Sequence, residues 1–143
     1  MKKRFITLFV STISIALIVS TVFYYLLCEG LRQVKRDAVG KFNYLILDST
    51  YYDAVFIGSS SLHVGIDPFL FDSLTGYHSF NGGMDGMQMA EVNMVVRRYI
   101  QHHGAPKQIF LNIDEGTLGM EGDIWYFPQY YPFINAADMK DII

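Results

Sequence analysis

The 143-residue sequence holds one cysteine, one tryptophan and four prolines. A single thiol, Cys28, excludes an internal disulfide and a cysteine-based zinc site of the usual kind. Basic residues are not in excess: 11 Lys and Arg face 14 Asp and Glu, for a formal net charge of −3. No basic stripe runs through the body of the chain, which argues against a nucleic-acid partner. Neither a P-loop nor a Gly-x-Gly-x-x-Gly fingerprint is present, so the sequence gives no ground for nucleotide binding. Internal repeats and low-complexity segments are absent as well. What is abundant is apolar: 51% of residues are hydrophobic and 15% aromatic, too much for a disordered chain and enough for one domain plus an appendage.

The appendage comes first. Met1-Lys2-Lys3-Arg4 is a basic tip, and Phe5 to Cys28 contains no charged residue. As a helix this stretch extends about 36 Å, enough for a hydrocarbon core of about 30 Å. A buried core helix is a poor alternative at this length. A cleaved signal peptide is the stronger rival, but Tyr24-Tyr25-Leu26-Leu27 offers no small-x-small site, and Leu27 stands where a lipoprotein needs a small residue before Cys28. The expectation is an uncleaved signal anchor over 5–28 with a cytoplasmic tip at 1–4. Arg32, Lys35, Arg36 and Lys41 partly offset the positive-inside bias. From residue 29 onward the formal charge is −6, and this part is expected to lie outside the cytoplasm.

Residues 29–50 read as a stalk helix, with Leu31, Val34, Ala38, Phe42 and Leu45 forming one apolar stripe and Gly40 weakening its middle. Residues 51–143 carry the domain. Ala54 to Ile57 is a short apolar run with the pattern of a strand buried on both faces. It runs into Gly58-Ser59-Ser60-Ser61 and then into sequence able to start a helix. A serine there has its hydroxyl at the carboxyl end of a sheet, where open α/β folds place ligands. The plain alternative is a solvated Gly-Ser turn. Asp67-Pro68 caps a short helix ending at Gly76, with Phe69, Leu70, Phe71 and Leu74 as its expected buried face. Tyr77 to Phe80 reads as a second strand. Met89, Val92, Val96 and Tyr99 mark an amphipathic helix with Asn93, Arg97 and Gln101 opposite, and Gln108 to Ile113 reads as a third strand. The alternation predicts an α/β domain with parallel pairing, strand order 2-1-3 and Ser60 at its centre. Trp125 to Phe133 is expected as an aromatic lid on the sheet top, with sugar stacking as the alternative.

Gly58-Ser59-Ser60, Ile66-Asp67-Pro68 and Phe80-Asn81-x-Gly83-x-x-Gly86, in this order and spacing, resemble the SGNH (GDSL-type) hydrolase superfamily. The likeness spans about Asp53 to Glu115 and is nearest to the membrane-anchored branch of D-alanyl transfer and alginate O-acetylation proteins. The resemblance implies the first half of a flavodoxin-like three-layer sandwich. It makes Ser60 the nucleophile, with Ser59 at the family's Asp position, and builds an oxyanion hole from the N–H groups of Ser60 and Gly83, with Asn81 bracing that loop or donating a side-chain hydrogen bond. It implies an acyl esterase or acyltransferase acting on cell-envelope or secreted polysaccharide, served by an acyl-donor membrane protein and needing no metal or organic cofactor. The rival reading is an anchored binding or assembly module that keeps the fold without using Ser60. The family's Gly-x-Asn-Asp block is replaced by Asn112-Ile113-Asp114-Glu115-Gly116, with no clear match for its asparagine. Asp114 and Glu115 are the acidic candidates near Ser60, or else a solvated strand end. His63 is expected at the rim or in a structural role, and His102 and His103 as offsetting a helix dipole. The family's Asp-x-x-His, which holds the base, occurs nowhere in the chain. The expectation is therefore a truncated domain, catalytically incompetent as it stands.

Overall fold

The computed structural model describes residues 2–119 and 127–133. Trp125, Tyr126 and the chain beyond residue 133 lie outside the described residues. Helix α1 runs unbroken over Lys2–Arg32 and is long and apolar enough to cross a membrane, with a mean hydropathy of 2.3 over its most apolar window. Its apolar side chains are exposed from Phe5 to Phe23, as a lipid-facing helix requires, while Tyr24 packs edge-on to Tyr131 and Cys28 is buried.

The expected single stalk helix is two helices. α1 ends at Arg32, the chain turns over 33–36, and α2 covers Asp37–Leu47. The Asn43 side chain donates to the carbonyls of Leu31 and Val34 at 2.8 and 2.9 Å, holding the turn against α2. Gly40 is a site of close approach rather than a weak point: a Cβ there would lie 2.4 Å from the carbonyl carbon of Lys35. Phe42, Leu45 and Ile46 of α2 enter the core, so this segment is part of the domain.

Strand β1 (Ala54–Ile57) is buried at all four residues, as its uniform apolar run predicts. β2 (Ser79–Asn81) and β3 (Gln108–Leu111) flank it in parallel, giving the expected order 2-1-3. Between them lie α3 (Ser60–Gly65), α4 (Pro68–Thr75) and α5 (Met89–His103), with α6 (Glu115–Gly119) after β3. β2 starts two residues later than the sequence suggests. Among the described residues no strand pairs with the outer side of β3, and its Phe110 and Leu111 are exposed.

α5 packs against α2 and β1, burying Val92, Val95 and Tyr99 with Glu91 and Met94. Its buried face is thus rotated from the expected one, and Met89 is left exposed. α4 has the expected caps: Asp67 accepts from the Phe69 N–H at 2.9 Å, and Gly76 closes it at φ 73°. It buries no residue, and Phe69, Leu70 and Leu74 are exposed against expectation. Phe71 packs on the sheet edge-on to Phe56 and Phe110, and the Pro68 carbonyl accepts from the Ser79 hydroxyl of β2 at 3.5 Å. Of the aromatic segment, residues 127–133 are described, and Gln129 Nε2 reaches the Asp85 carbonyl of the loop after β2 at 3.4 Å. The segment's two 3₁₀ turns, Phe127–Gln129 and Tyr131–Phe133, pack on α1 and α2, with Tyr130 and Phe133 edge-on to Phe42.

Candidate functional site

β1 delivers Gly58 to the carboxyl end of the sheet, and the next residues turn directly into α3. Gly58 has to be glycine because a Cβ would meet the Asn112 Cβ at 2.7 Å, where the end of β3 passes. Ser59 is the N-cap of α3, but its hydroxyl makes no capping bond. It turns instead toward β3. Asn112 and Asp114, two apart and therefore on one side of the extended chain, receive it.

These residues form one polar cluster. The Ser59 hydroxyl lies 2.9 Å from that of Ser61 and 3.1 Å from Asn112 Oδ1, and it donates to Asp114 Oδ2. The Ser61 hydroxyl lies 3.0 Å from both Asn112 Oδ1 and Asp114 Oδ2. Two hydroxyls carry two protons, and the ionised carboxylate is the stronger acceptor for both. The Asn112 amide, whose two ends have the same shape, then faces the hydroxyls best with its NH₂ group.

Asp114 is fixed from the other side by Thr117, whose backbone N–H and hydroxyl both reach Oδ1 at 2.9 Å. The Ser59 hydroxyl, then the Thr117 N–H and hydroxyl, and more weakly that of Ser61, hold the Asp114 carboxyl well below the usual carboxylate range. With the Ser59, Ser61 and Thr117 hydroxyls all directed at it, the carboxylate orients hydroxyls.

An open cleft of about 460 Å³ lies over this cluster, lined by Ser59, Ser60, Gly86, Met87, Asp114 and Glu115. Four expected residues, Ser59, Ser60, Asp114 and Glu115, therefore share one cleft. Ser60 is exposed there, at the first position of α3, and takes no part in the hydroxyl–carboxylate cluster. α3 is six residues long, so its dipole adds little to an anion held at Ser60.

Gly83 and Asn81 do not line this cleft. The Gly83 N–H donates to Asn81 Oδ1 at 2.9 Å, and its carbonyl accepts from Lys41 Nζ at 3.1 Å. Both polar groups of Gly83 are thus occupied, and in this arrangement its N–H is not free to pair with that of Ser60 in an oxyanion hole. A Cβ on Gly83 would lie 2.6 Å from the His63 nitrogen, so the glycine lets the loop pack on α3. Asn81 does brace the loop. Its Nδ2 also reaches the carbonyls of Leu62, His63 and Ile66 at 3.1, 3.2 and 2.8 Å, closing the carboxyl end of α3.

The histidines stand elsewhere. His63 Nδ1 lies 3.9 Å from Asp85 Oδ1, and His78 Nδ1 lies 3.1 Å from the Tyr51 carbonyl. His103 bridges the carbonyls of Thr50 and Leu45, both at 3.0 Å, tying the end of α5 to that of α2. Among the described residues no histidine hydrogen-bonds a serine of the cluster, and no group of three His, Cys, Asp or Glu is placed to hold a metal ion. Sequence reasoning missed Ser61, Thr117 and the role of Asn112. The two-residue spacing of Asn112 and Asp114 was the signal that could have found the last.

No known protein family, characterised protein or solved structure matches this chain.

Proposed function

We propose that this chain belongs to a membrane-anchored serine acyl esterase or O-acyltransferase of SGNH type, with Ser60 as nucleophile. The reading places α1 across the cell membrane as a single-pass anchor and the α/β domain outside the cytoplasm. It treats the three-stranded sheet as the first half of a flavodoxin-like sandwich. The acceptor by this reading is a cell-envelope or secreted polysaccharide, and the acyl group comes from a membrane partner.

The observation that supports it best is the cleft at the end of the central strand, where Ser60 lies exposed beside a carboxylate-ordered cluster. Ser60 Oγ would attack an ester carbonyl and lose its proton to a base, the ester C–O bond would break, and the donor's alcohol would leave with that proton, giving an acyl-enzyme. A sugar hydroxyl or water would then release the acyl group. Asp114 faces Ser59, Ser61 and Thr117 and makes no hydrogen bond to Ser60, so by this reading it orders the cluster and does not serve as the base. His63, His78 and His103 face Asp85 or backbone carbonyls, so by this reading none of these three is positioned as the base.

That deficit favours a second reading, an anchored binding or assembly module. Fluorophosphonate labelling of membranes carrying the chain separates the two, with imidazole added as a stand-in base. The esterase reading expects labelling that Ser60→Ala abolishes. Equal labelling of both chains supports the module.

A further inference from the structure

The domain also buries a carboxyl that takes no part in the cleft. Glu91, in the first turn of α5, is 2% exposed, and its Oε2 accepts the Gln88 N–H at 2.6 Å. Its Oε1 is enclosed without a hydrogen-bond partner. Two more such groups come from residues 127–133. Gln129 and Tyr130 are fully buried, and Gln129 Oε1 and the Tyr130 hydroxyl also lack a partner at full hydrogen-bond geometry. The Tyr130 hydroxyl is the member that interacts with both of the others: burial and then the Glu91 charge push it far above its usual range, and the Gln129 side chain acts on it too.

Counting protons decides which state of Glu91 fits. The Asp85 carbonyl accepts from Gln129 Nε2 at 3.4 Å, which fixes the other end of that amide as its oxygen. With Glu91 ionised, three buried oxygens share one proton, that of Tyr130, and one acceptor is left unpaired. With Glu91 neutral there are two protons. Glu91 Oε1–H then donates to the Tyr130 oxygen, the Tyr130 O–H donates to Gln129 Oε1, and every oxygen is bonded. Burial also pushes the Glu91 carboxyl above its usual range, outweighing Gln88 and Tyr130. Tyr130 is the titratable group that acts on it. Of the charged side chains on the surrounding elements, Lys41 of α2 lies on the Gly83 carbonyl and feels Asp85, His63 of α3 faces Asp85, and Arg32 of α1 lies on Glu29 and the Pro132 carbonyl.

Residues 127–133 lean on the anchor helix through Tyr131 and Pro132 and on the loop after β2 through Gln129. That loop supplies Gly86 and Met87 to the cleft over Ser60. We propose that Glu91, Tyr130 and Gln129 form a proton-operated clasp: neutral Glu91 fastens residues 127–133 to α5 and to the loop at 84–88, and loss of its proton to solvent releases them. The clasped chain binds that proton more tightly than the open one. The clasp is therefore complete at acid pH and is lost as the pH rises through the raised Glu91 value. It does not depend on any chemistry at Ser60.

The test is hydrogen–deuterium exchange of the full chain in phosphatidylcholine nanodiscs from pH 5 to 8, read by mass spectrometry and corrected for the intrinsic rate. Protection over 84–88 and 127–133 should fall in one single-proton step, about tenfold for each pKa unit by which clasping raises Glu91, while β1 keeps its protection. Glu91→Gln, which cannot ionise, should keep both segments protected throughout. In the parent chain a protonated-carboxyl infrared band should disappear with the same midpoint, a readout that stands even where the variant fails to fold. Protection that is flat with pH in the parent, or that falls equally in Glu91→Gln or equally in β1, would overturn the clasp. So would a carboxyl band with a different midpoint.

Discussion

Replacing Asn81 by alanine should be among the most damaging single changes in the domain. One buried amide joins β2, the glycine loop and the end of α3, accepting from Gly83 N–H and facing three carbonyls. Its NH₂ has two protons for those three carbonyls, so the amide makes three full bonds, with the third carbonyl sharing a proton. At ~1 kcal/mol per bond, with a further cost for buried groups left unpaired, Asn81→Ala should lose about 3–5 kcal/mol. That is a large share of the ~5–15 kcal/mol typical of a domain. Asn81→Asp is the sharper variant. It keeps an acceptor for Gly83 but turns a carboxylate oxygen toward the three carbonyls. It should be at least as unstable as Ala at neutral pH and recover as the pH falls, when protonation restores one donor. Thermal melts of the chain in detergent micelles, followed by near-ultraviolet circular dichroism, measure both. A loss below 1 kcal/mol for Asn81→Ala, or an Asp variant with no pH dependence, would refute the reasoning.

Gly40→Ala should destabilise by about 1–3 kcal/mol, because the added methyl runs into the Lys35 carbonyl; on helix propensity alone it would stabilise, so the same melts decide by sign. Glu91 is buried, and burial pushes its carboxyl above the usual range although it accepts the Gln88 N–H at 2.6 Å. The folded state thus holds the proton more tightly than the unfolded one, so this residue's contribution is full at acid pH and is lost as the pH rises through the raised value. Glu91→Gln should therefore raise the melting temperature by a few degrees at pH 7.5 and lose that advantage near pH 4. A lower melting temperature for Glu91→Gln at pH 7.5 would contradict this.

Local chemistry made much of this fold legible. The apolar run Ala54–Ile57 could only be a doubly covered strand, and Asp67-Pro68 with Gly76 marked both ends of α4. What failed to show was set by distant partners. The break after Arg32 is held by Asn43 and by a bond from Arg32 to Pro132, 100 residues away. α4 has the sequence of a buried helix, yet only Phe71 finds aromatic partners on the sheet. At the site, the serines and Asp114 were visible as residue types. That Asp114 orders Ser59 and Ser61 while leaving Ser60 free depends on β3 lying beside β1, and spacing within a single segment does not reveal it. Gly83 was legible as a glycine that something must approach. The approaching group is the His63 backbone, where an anion was expected.

By the function proposed above, Ser60 is a nucleophile that needs a base from outside its own cluster. Incubating the chain with p-nitrophenyl acetate, with and without imidazole, and locating acetyl groups by peptide mass spectrometry tests it most directly. The account predicts acetylation at Ser60 that depends on imidazole and disappears in Ser60→Ala. Acetyl groups on Ser59 or Ser61, or none on any of the three with imidazole present, would contradict it.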